Sequence, residues 1–340
     1  MKRILCLLLA CLLLSGCAAA DPAPERKIYE ATFLTLFDTV TVIKGAAESK
    51  EAFSEIAYAI HDELLEYHQL FDIYHDYEGI ANLKTINDKA GESPVAVDSR
   101  IIDLLLDCKS YYDLTDGMVN VAMGSVLRIW HETRSSGIDD PENARLPDFS
   151  DLEQAAAHRS MDSIVIDEAE STVFISDPDL LLDVGAVAKG WATQRVAEHA
   201  PSGLLISVGG NVCATGPKDD AGTPWVVGIQ NPRGDGYLHT VYATKTCIVT
   251  SGDYQRAYTV DGKIYHHIID PVTLYPGTRW ISVSIICEDS GLADALSTAL
   301  FLLPLEEGQR LLDQCGAEAI WVDAEGIQHY SPGFKALIRT

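Results

Sequence analysis

Five short segments concentrate glycine, carboxylate, hydroxyl and imidazole where a purely structural role explains them poorly. Asp294 and Thr298, within Ala293-Asp294-Ala295-Leu296-Ser297-Thr298-Ala299-Leu300, stand four residues apart at the start of a predicted helix. That spacing puts a carboxylate and a hydroxyl on one face, one turn apart, and hard oxygen donors of this kind suit Mg²⁺. The plainer alternative is that Asp294 caps the helix and Thr298 packs. Asp183-Val184-Gly185-Ala186-Val187-Ala188-Lys189-Gly190 falls at a strand-to-helix junction. Glycines there allow close backbone approach, and the free N–H groups of a helix start favour anions. The spacing of a Walker A loop is absent, and the alternative is a capped helix with a surface lysine. Ser207-Val208-Gly209-Gly210-Asn211 permits a backbone nest after a strand, although most such turns are only turns. Thr250-Ser251-Gly252-Asp253-Tyr254 and His266-His267-Ile268-Ile269-Asp270-Pro271 complete the set. Two adjacent histidines on a strand point to opposite faces, so only one of them can face a pocket.

The elements that must position these groups follow from hydrophobic period. Thr39–Ile43 reads as a strand, and Glu51–Phe71 carries Phe53, Ile56, Ile60, Leu64 and Phe71 at helical spacing. Ile101–Tyr112 and Thr115–Trp130 predict helical segments, with Gly117 and Gly124 as interruptions. Residues 163–167 and 172–175 predict short strands, and Gly185–Ala200 a helix ended by Pro201. Strands then dominate: Leu204–Val208, Trp225–Ile229, Leu238–Ala243 and Cys247–Thr250. Asp261-Gly262 between Ala257–Val260 and Lys263–Ile268 predicts a type I′ hairpin. A strand at Trp280–Cys287, helices over Leu292–Leu303 and Glu306–Cys315, and a strand at Ala319–Val322 close the chain. Helices early and strands late argue for an α+β fold rather than regular βαβ winding.

The chain of 340 residues has a formal net charge of −25, which repels phosphate backbones and argues against nucleic acid as a partner. An anionic substrate therefore needs local neutralisation by a metal, a lysine or backbone N–H groups. Lys2 and Arg3 precede an apolar run from Ile4 to Leu14, too short to span a bilayer but suited to a signal peptide. Leu14-Ser15-Gly16-Cys17 then resembles a bacterial lipobox, plain secretion being the alternative. This reading makes residues 1–16 a leader, Cys17 the lipidated first residue, 17–27 a tether and 28–340 one domain on the extracytoplasmic face of a cell membrane. Cys108, Cys213, Cys247, Cys287 and Cys315 show no C-x-x-C spacing, which argues against a zinc cluster and leaves their pairing open.

In this order, Asp-Val-Gly-Ala-Val-Ala-Lys-Gly-Trp-Ala, Ser-Val-Gly-Gly-Asn, Thr-Ser-Gly-Asp-Tyr, His-His-Ile-Ile-Asp-Pro and Ala-Asp-Ala-Leu-Ser-Thr-Ala resemble the FAD:protein FMN transferase family, the ApbE-type flavin transferases. The resemblance runs from about Phe33 to the C-terminus and implies a single domain with a largely antiparallel sheet core. It implies FAD as substrate and Mg²⁺ as cofactor, with FMN passed to a Thr or Ser hydroxyl of an acceptor flavoprotein and AMP released. It further implies Asp183 and Lys189 at FAD-contacting positions, and Asp294, Thr298 and the Ala186 carbonyl around the metal. His267 falls on the residue implicated in transfer, Ile268 beside it, Tyr74 on an early FAD-site tyrosine, and Phe37 on a position commonly methionine.

Departures from the family pattern cluster in Asp116-Gly117-Met118-Val119-Asn120-Val121-Ala122-Met123-Gly124-Ser125-Val126. Met118, Val119 and Asn120 border the flavin site in the resemblance, yet Asn120 replaces an aspartate, Ala122 a threonine and Ser125 a proline. Leu274 stands where the family has glycine. Two rival expectations follow: an FAD pyrophosphatase in which water replaces the protein hydroxyl, and a flavin-binding lipoprotein without chemistry. Intact Asp294, Thr298 and His267 favour the transferase.

Overall fold

Lys27–Phe33 (β1) and Thr41–Ala47 (β2) form an antiparallel pair at one edge of the central sheet, and β2 alternates buried with half-buried side chains as a strand covered on one face does. The computed structural model describes residues 26–339, so the leader, Cys17 and the tether up to residue 25 lie outside the described residues. Leu204–Val208 (β3), Asn211–Ala214 (β4), Thr246–Gly252 (β5), Trp280–Cys287 (β6), Glu318–Asp323 (β7) and Gln328–Tyr330 (β8) complete an eight-stranded sheet. Spatial order follows chain order, and every neighbouring pair is antiparallel. Functional segments therefore arrive as insertions between adjacent strands.

The helices among the described residues are Lys50–Phe71 (α1), Leu83–Asp88 (α2), Ser99–Leu114 (α3), Gly124–Asp139 (α4), Phe149–Ala156 (α5), Ala188–His199 (α6), Ser290–Leu302 (α7), Leu305–Cys315 (α8) and Phe334–Leu337 (α9). The first six fill the insertion between β2 and β3, together with a small sheet of Val95–Ala96, Thr172–Ile175 and Ile164–Asp167. A hairpin of Trp225–Gln230 and Tyr237–Ala243 separates β4 from β5. β6 buries all eight of its residues because both faces are covered. Val283 and Ile285 join the main core with the helices, whereas Ile286 packs with the hairpin residues Val227, Ile229 and Val241. The architecture is the expected single α+β domain with an antiparallel core.

Several boundaries differ from expectation for identifiable reasons. Thr115–Trp130 is not one helical stretch: α3 stops at Leu114, Gly117 takes φ 79°, and Gly124 opens α4, which runs on to Asp139. The Gly124 N–H donates to the Leu181 carbonyl at 2.9 Å, and a Cβ there would lie 2.4 Å from that oxygen. α6 begins at Ala188 rather than Gly185, because Asp183 Oδ1 accepts the Gly185 N–H at 2.8 Å and holds a turn. The hairpin strand ends at Tyr265, so His266 and His267 lie in a loop. Asp261 and Gly262 take φ 49° and 77°, as a type I′ turn requires. Asp289 caps α7, accepting the Leu292 N–H at 2.8 Å, and Asp294 sits a turn further in.

Asp294 instead serves the neighbouring helix. α6 begins without a side-chain cap of its own, and the N–H of its third residue, Gly190, donates to Asp294 Oδ2 at 2.8 Å. Helix starts leave such N–H groups unpaired, so a carboxylate supplied from α7 satisfies one. The two helices approach closely enough only because residue 190 lacks a side chain: a Cβ would lie 2.3 Å from the Ser290 carbonyl and 2.4 Å from Asp294 Cβ. Both obstacles are parts of a buried helix and cannot swing aside. Gly190→Ala is expected to destabilise the fold by about 1–3 kcal/mol, as overpacking does; thermal denaturation checks this, and an unchanged melting temperature would contradict the close seam.

Candidate active site

α7 is almost wholly apolar, with Ala293, Ala295, Leu296, Ala299 and Leu300 fully buried, so a carboxylate on it must be satisfied in place. Asp294 is only 4% exposed. Its Oδ2 faces the Gly190 N–H and, at 3.6 Å, the Lys189 ammonium, which also donates to the Gly185 carbonyl at 3.3 Å. Thr298 follows one turn along on the same cleft wall. Neither Asp294 Oδ1 nor the Thr298 hydroxyl has a hydrogen-bond partner among the described residues, which leaves two hard oxygens for a ligand. That donor set fits Mg²⁺, and Ala186 lines the same cleft. The positive end of the α6 dipole points at the same place and favours anions.

Across the cleft, the loop after Tyr265 sends the two histidines to different environments, although not through strand alternation. His266 is buried: its Nε2–H donates to the Gly277 carbonyl at 2.8 Å while Nδ1 accepts the Ile268 N–H at 3.2 Å. Both ring nitrogens are used, so it is a core residue. His267 faces the cleft, and its Nδ1–H donates to the Gln255 carbonyl at 3.2 Å, leaving Nε2 with a free lone pair. Burial, reinforced by Arg256 and the further cations Lys189 and Arg134, holds His267 down to about 3, so its imidazole is neutral. Burial raises the Asp183 carboxyl above its ordinary value, against the Gly185 N–H, Arg256, His131 and Lys189.

The outer wall comes from the β1–β2 connection and the long insertion. Phe37 takes φ 52°, donates its N–H to His68 Nδ1 at 3.3 Å and packs edge-on against that ring. Asp72 at the end of α1 accepts the Tyr74 N–H at 2.6 Å and the Tyr77 hydroxyl at 2.8 Å, which fixes the turn presenting Tyr74. The Tyr74 ring lies 5.4 Å from that of His131 on α4. Met118, Val119 and Asn120 run along the floor, anchored where the Asp183 N–H donates to the Val121 carbonyl at 2.8 Å.

The departures in this stretch have local explanations. Asn120 Oδ1 accepts the Ala122 N–H at 2.8 Å while Nδ2 donates to the Arg159 carbonyl at 3.1 Å. An aspartate would meet that carbonyl with no proton to give. The Arg159 guanidinium in turn donates to the Pro271 carbonyl, which ties the floor to the histidine loop. Ser125 donates to the Asp179 carbonyl at 2.6 Å, and Ala122 is fully buried, where a threonine hydroxyl would need a partner. Leu274 occupies the left-handed region at φ 61° with its side chain buried beside Trp130, whose indole N–H donates to the Leu274 carbonyl at 2.9 Å. Burying a leucine contributes about 1.5–3 kcal/mol, enough to offset the roughly 1–2 kcal/mol of a left-handed residue.

One cleft thus brings together Phe37, Tyr74, Met118, Val119, Asn120, Asp183, Ala186, Lys189, His267, Ile268, Asp294 and Thr298. Cys17 lies outside the described residues. The cleft also holds groups that sequence reasoning did not single out: His131 and Arg134 on α4, Gln255, and Arg256 at φ 44°. His131 and Arg134 stand three apart on one helix face, the only trace they leave in the sequence. Asn211, part of the Gly209-Gly210 turn, is 2% exposed with no partner for its Nδ2 among the described residues.

The model of the ApbE family matches residues 36–321. A protein of Treponema pallidum named FAD:protein FMN transferase is 33% identical over 277 residues, covering 76% of this chain and 75% of that protein. A Vibrio cholerae protein of the same name is 29% identical over 344 residues, covering 98% and 96%. The crystal structure of the ApbE protein of Thermotoga maritima superposes with a TM-score of 0.81 at 30% identity, covering 92% of this chain and all of that one.

The depressed His267 makes a stability prediction. Its unfolded value is 6.5 and its folded value about 3, so between these pH values the unfolded chain binds a proton that the folded chain refuses. Its contribution is complete above pH 6.5 and lost as pH falls toward 3. The melting temperature of His267→Gln is expected to fall less steeply across that window, with His131 and His266, also held below their ordinary values, supplying the remaining slope. Identical slopes would contradict the burial of a neutral imidazole.

Proposed function

This chain belongs to the ApbE family, and from that premise we propose that it is a flavin transferase moving FMN from FAD onto a Thr or Ser hydroxyl of an acceptor flavoprotein. The observation that carries the reading is the Asp294–Gly190 seam opposite a neutral, cleft-facing His267. The bond formed joins the acceptor oxygen to the FMN-side phosphorus; the bond broken joins that phosphorus to the bridging oxygen, which leaves as AMP. His267 accepts the hydroxyl proton at Nε2, since Nδ1–H is committed to Gln255. A chain of net charge −25 must meet the pyrophosphate locally, and Lys189, Arg256 and the start of α6 supply positive charge and N–H groups at the cleft. Asp294, Thr298 and the Ala186 carbonyl would hold Mg²⁺, which when bound neutralises charge on the pyrophosphate oxygens. Phosphoryl transfer is mainly positioning and electrostatics, so few side chains suffice.

The leader and Cys17 support a lipid-anchored protein outside the cytoplasmic membrane, with an exported or membrane redox protein as acceptor. FAD and Mg²⁺ with a Thr-containing acceptor domain test the reaction. AMP appearing only with acceptor, together with an FMN mass increment on it, is the expected result. AMP without acceptor would make the protein a pyrophosphatase, and tight FAD binding without AMP a binding protein. Asp294→Asn keeps an oxygen for the Gly190 N–H while removing the charge. It is expected to fold normally and to lose about a hundredfold or more in turnover; unchanged turnover, or full activity in excess chelator, would contradict the cation's role.

A further inference from the structure

Three cysteines stand in line across neighbouring strands of the central sheet. Register sets Cys213 on β4 opposite Cys247 on β5, and Cys247 opposite Cys287 on β6. All three are buried. Directly opposed residues share one face of a sheet, and in an antiparallel pair their Cα atoms lie about 4.5–5.5 Å apart. A disulfide spans roughly 4.4–6.8 Å between Cα atoms, so the backbone needs no movement to accept one. The sulfurs of Cys213 and Cys247 are 2.7 Å apart, nearer than unbonded sulfurs rest. Cys287 is turned to other work, its thiol donating to the Asp289 carbonyl at 3.0 Å. The row does not converge as a metal site would. Among the described residues, the three sulfurs do not all come within ligand distance of one another.

We propose that Cys213 and Cys247 are an oxidation site and form a cross-strand disulfide when the chain folds in contact with a disulfide oxidant. Each thiol gives up its hydrogen and a sulfur–sulfur bond forms. The two electrons and two protons pass to the oxidant's disulfide, which becomes a pair of thiols. The bond spans 34 positions of chain that include the hairpin of Trp225–Gln230 and Tyr237–Ala243. It braces the sheet beneath the α6–α7 seam. Gln194 of α6 accepts the Ser290 N–H at the start of α7 at 2.9 Å, and its Oε1 lies 4.0 Å from Cys247 Sγ. The neighbouring Cys213 thiol and burial push Cys247 upward, so thiolate is scarce in the folded chain and the bond forms during folding. This assignment stands apart from the flavin reading.

The test is mass spectrometry of the full chain recovered from a host that exports it, with free thiols blocked in denaturant before any reductant is added. A Cys213 peptide joined to a Cys247 peptide is expected, with Cys108, Cys287 and Cys315 blocked. Reductant is expected to lower the melting temperature of the wild type and of Cys287→Ser, but not of Cys213→Ser or Cys247→Ser. Complete blocking of Cys213 and Cys247 in the unreduced protein would overturn the proposal. So would a reductant effect that persists in Cys213→Ser. The wild-type peptide map decides the matter even if a serine variant fails to fold.

Discussion

A carboxylate lent by one buried helix to the open start of another organises this molecule. Asp294 belongs to α7, yet the N–H it satisfies is that of Gly190 on α6. Burying a charge on an apolar helix is unfavourable unless hydrogen bonds and an opposite charge meet it. The Gly190 N–H and the Lys189 ammonium meet it here, and both come from the same helix start. Position 190 must therefore be glycine, the two helices must touch, and the second carboxylate oxygen faces the cleft. Structural need and chemical opportunity coincide in one side chain.

The antiparallel sheet makes this arrangement affordable in chain length. Because its strands follow chain order, each insertion leaves and re-enters between neighbours, and segments as distant as Phe37 and Thr298 reach one cleft. Three of the non-glycine residues with positive φ, Phe37, Asp38 and Arg256, line that cleft. Such residues persist only where surrounding contacts over-determine them. The hydrogen bond from Phe37 to His68 and the anchoring of Tyr74 by Asp72 are contacts of that kind.

Much of the fold was legible because its periodicity is strong. The α1 helix and the β6 strand are legible to within a residue or two, since one has a clear apolar stripe and the other is a β-branched-rich run interrupted only by Ser282 and Ser284. β1 and β4 escape the sequence pattern: β1 is an edge strand with no fully buried residue, and β4 is four residues behind a glycine turn. Alternation continues past Tyr265 and predicts strand through the histidines, but the backbone turns there to satisfy His266. The segments holding Asp183, Lys189, His267, Asp294 and Thr298 stand out in the sequence as compact runs of unusual composition, and all five residues line the cleft. Arg134, Arg256 and the cap on α6 were invisible for a common reason. They acquire meaning only through contacts between elements far apart in sequence.

The central claim is that the α6–α7 seam lets an acidic protein hold a pyrophosphate. It is tested most directly by titrating FAD into the wild-type protein and Lys189→Ala, with Mg²⁺ and with chelator, while following flavin fluorescence. The account predicts tight binding only with Mg²⁺ in the wild type, and markedly weaker binding in Lys189→Ala under the same conditions. Equal affinity in all four combinations would contradict it.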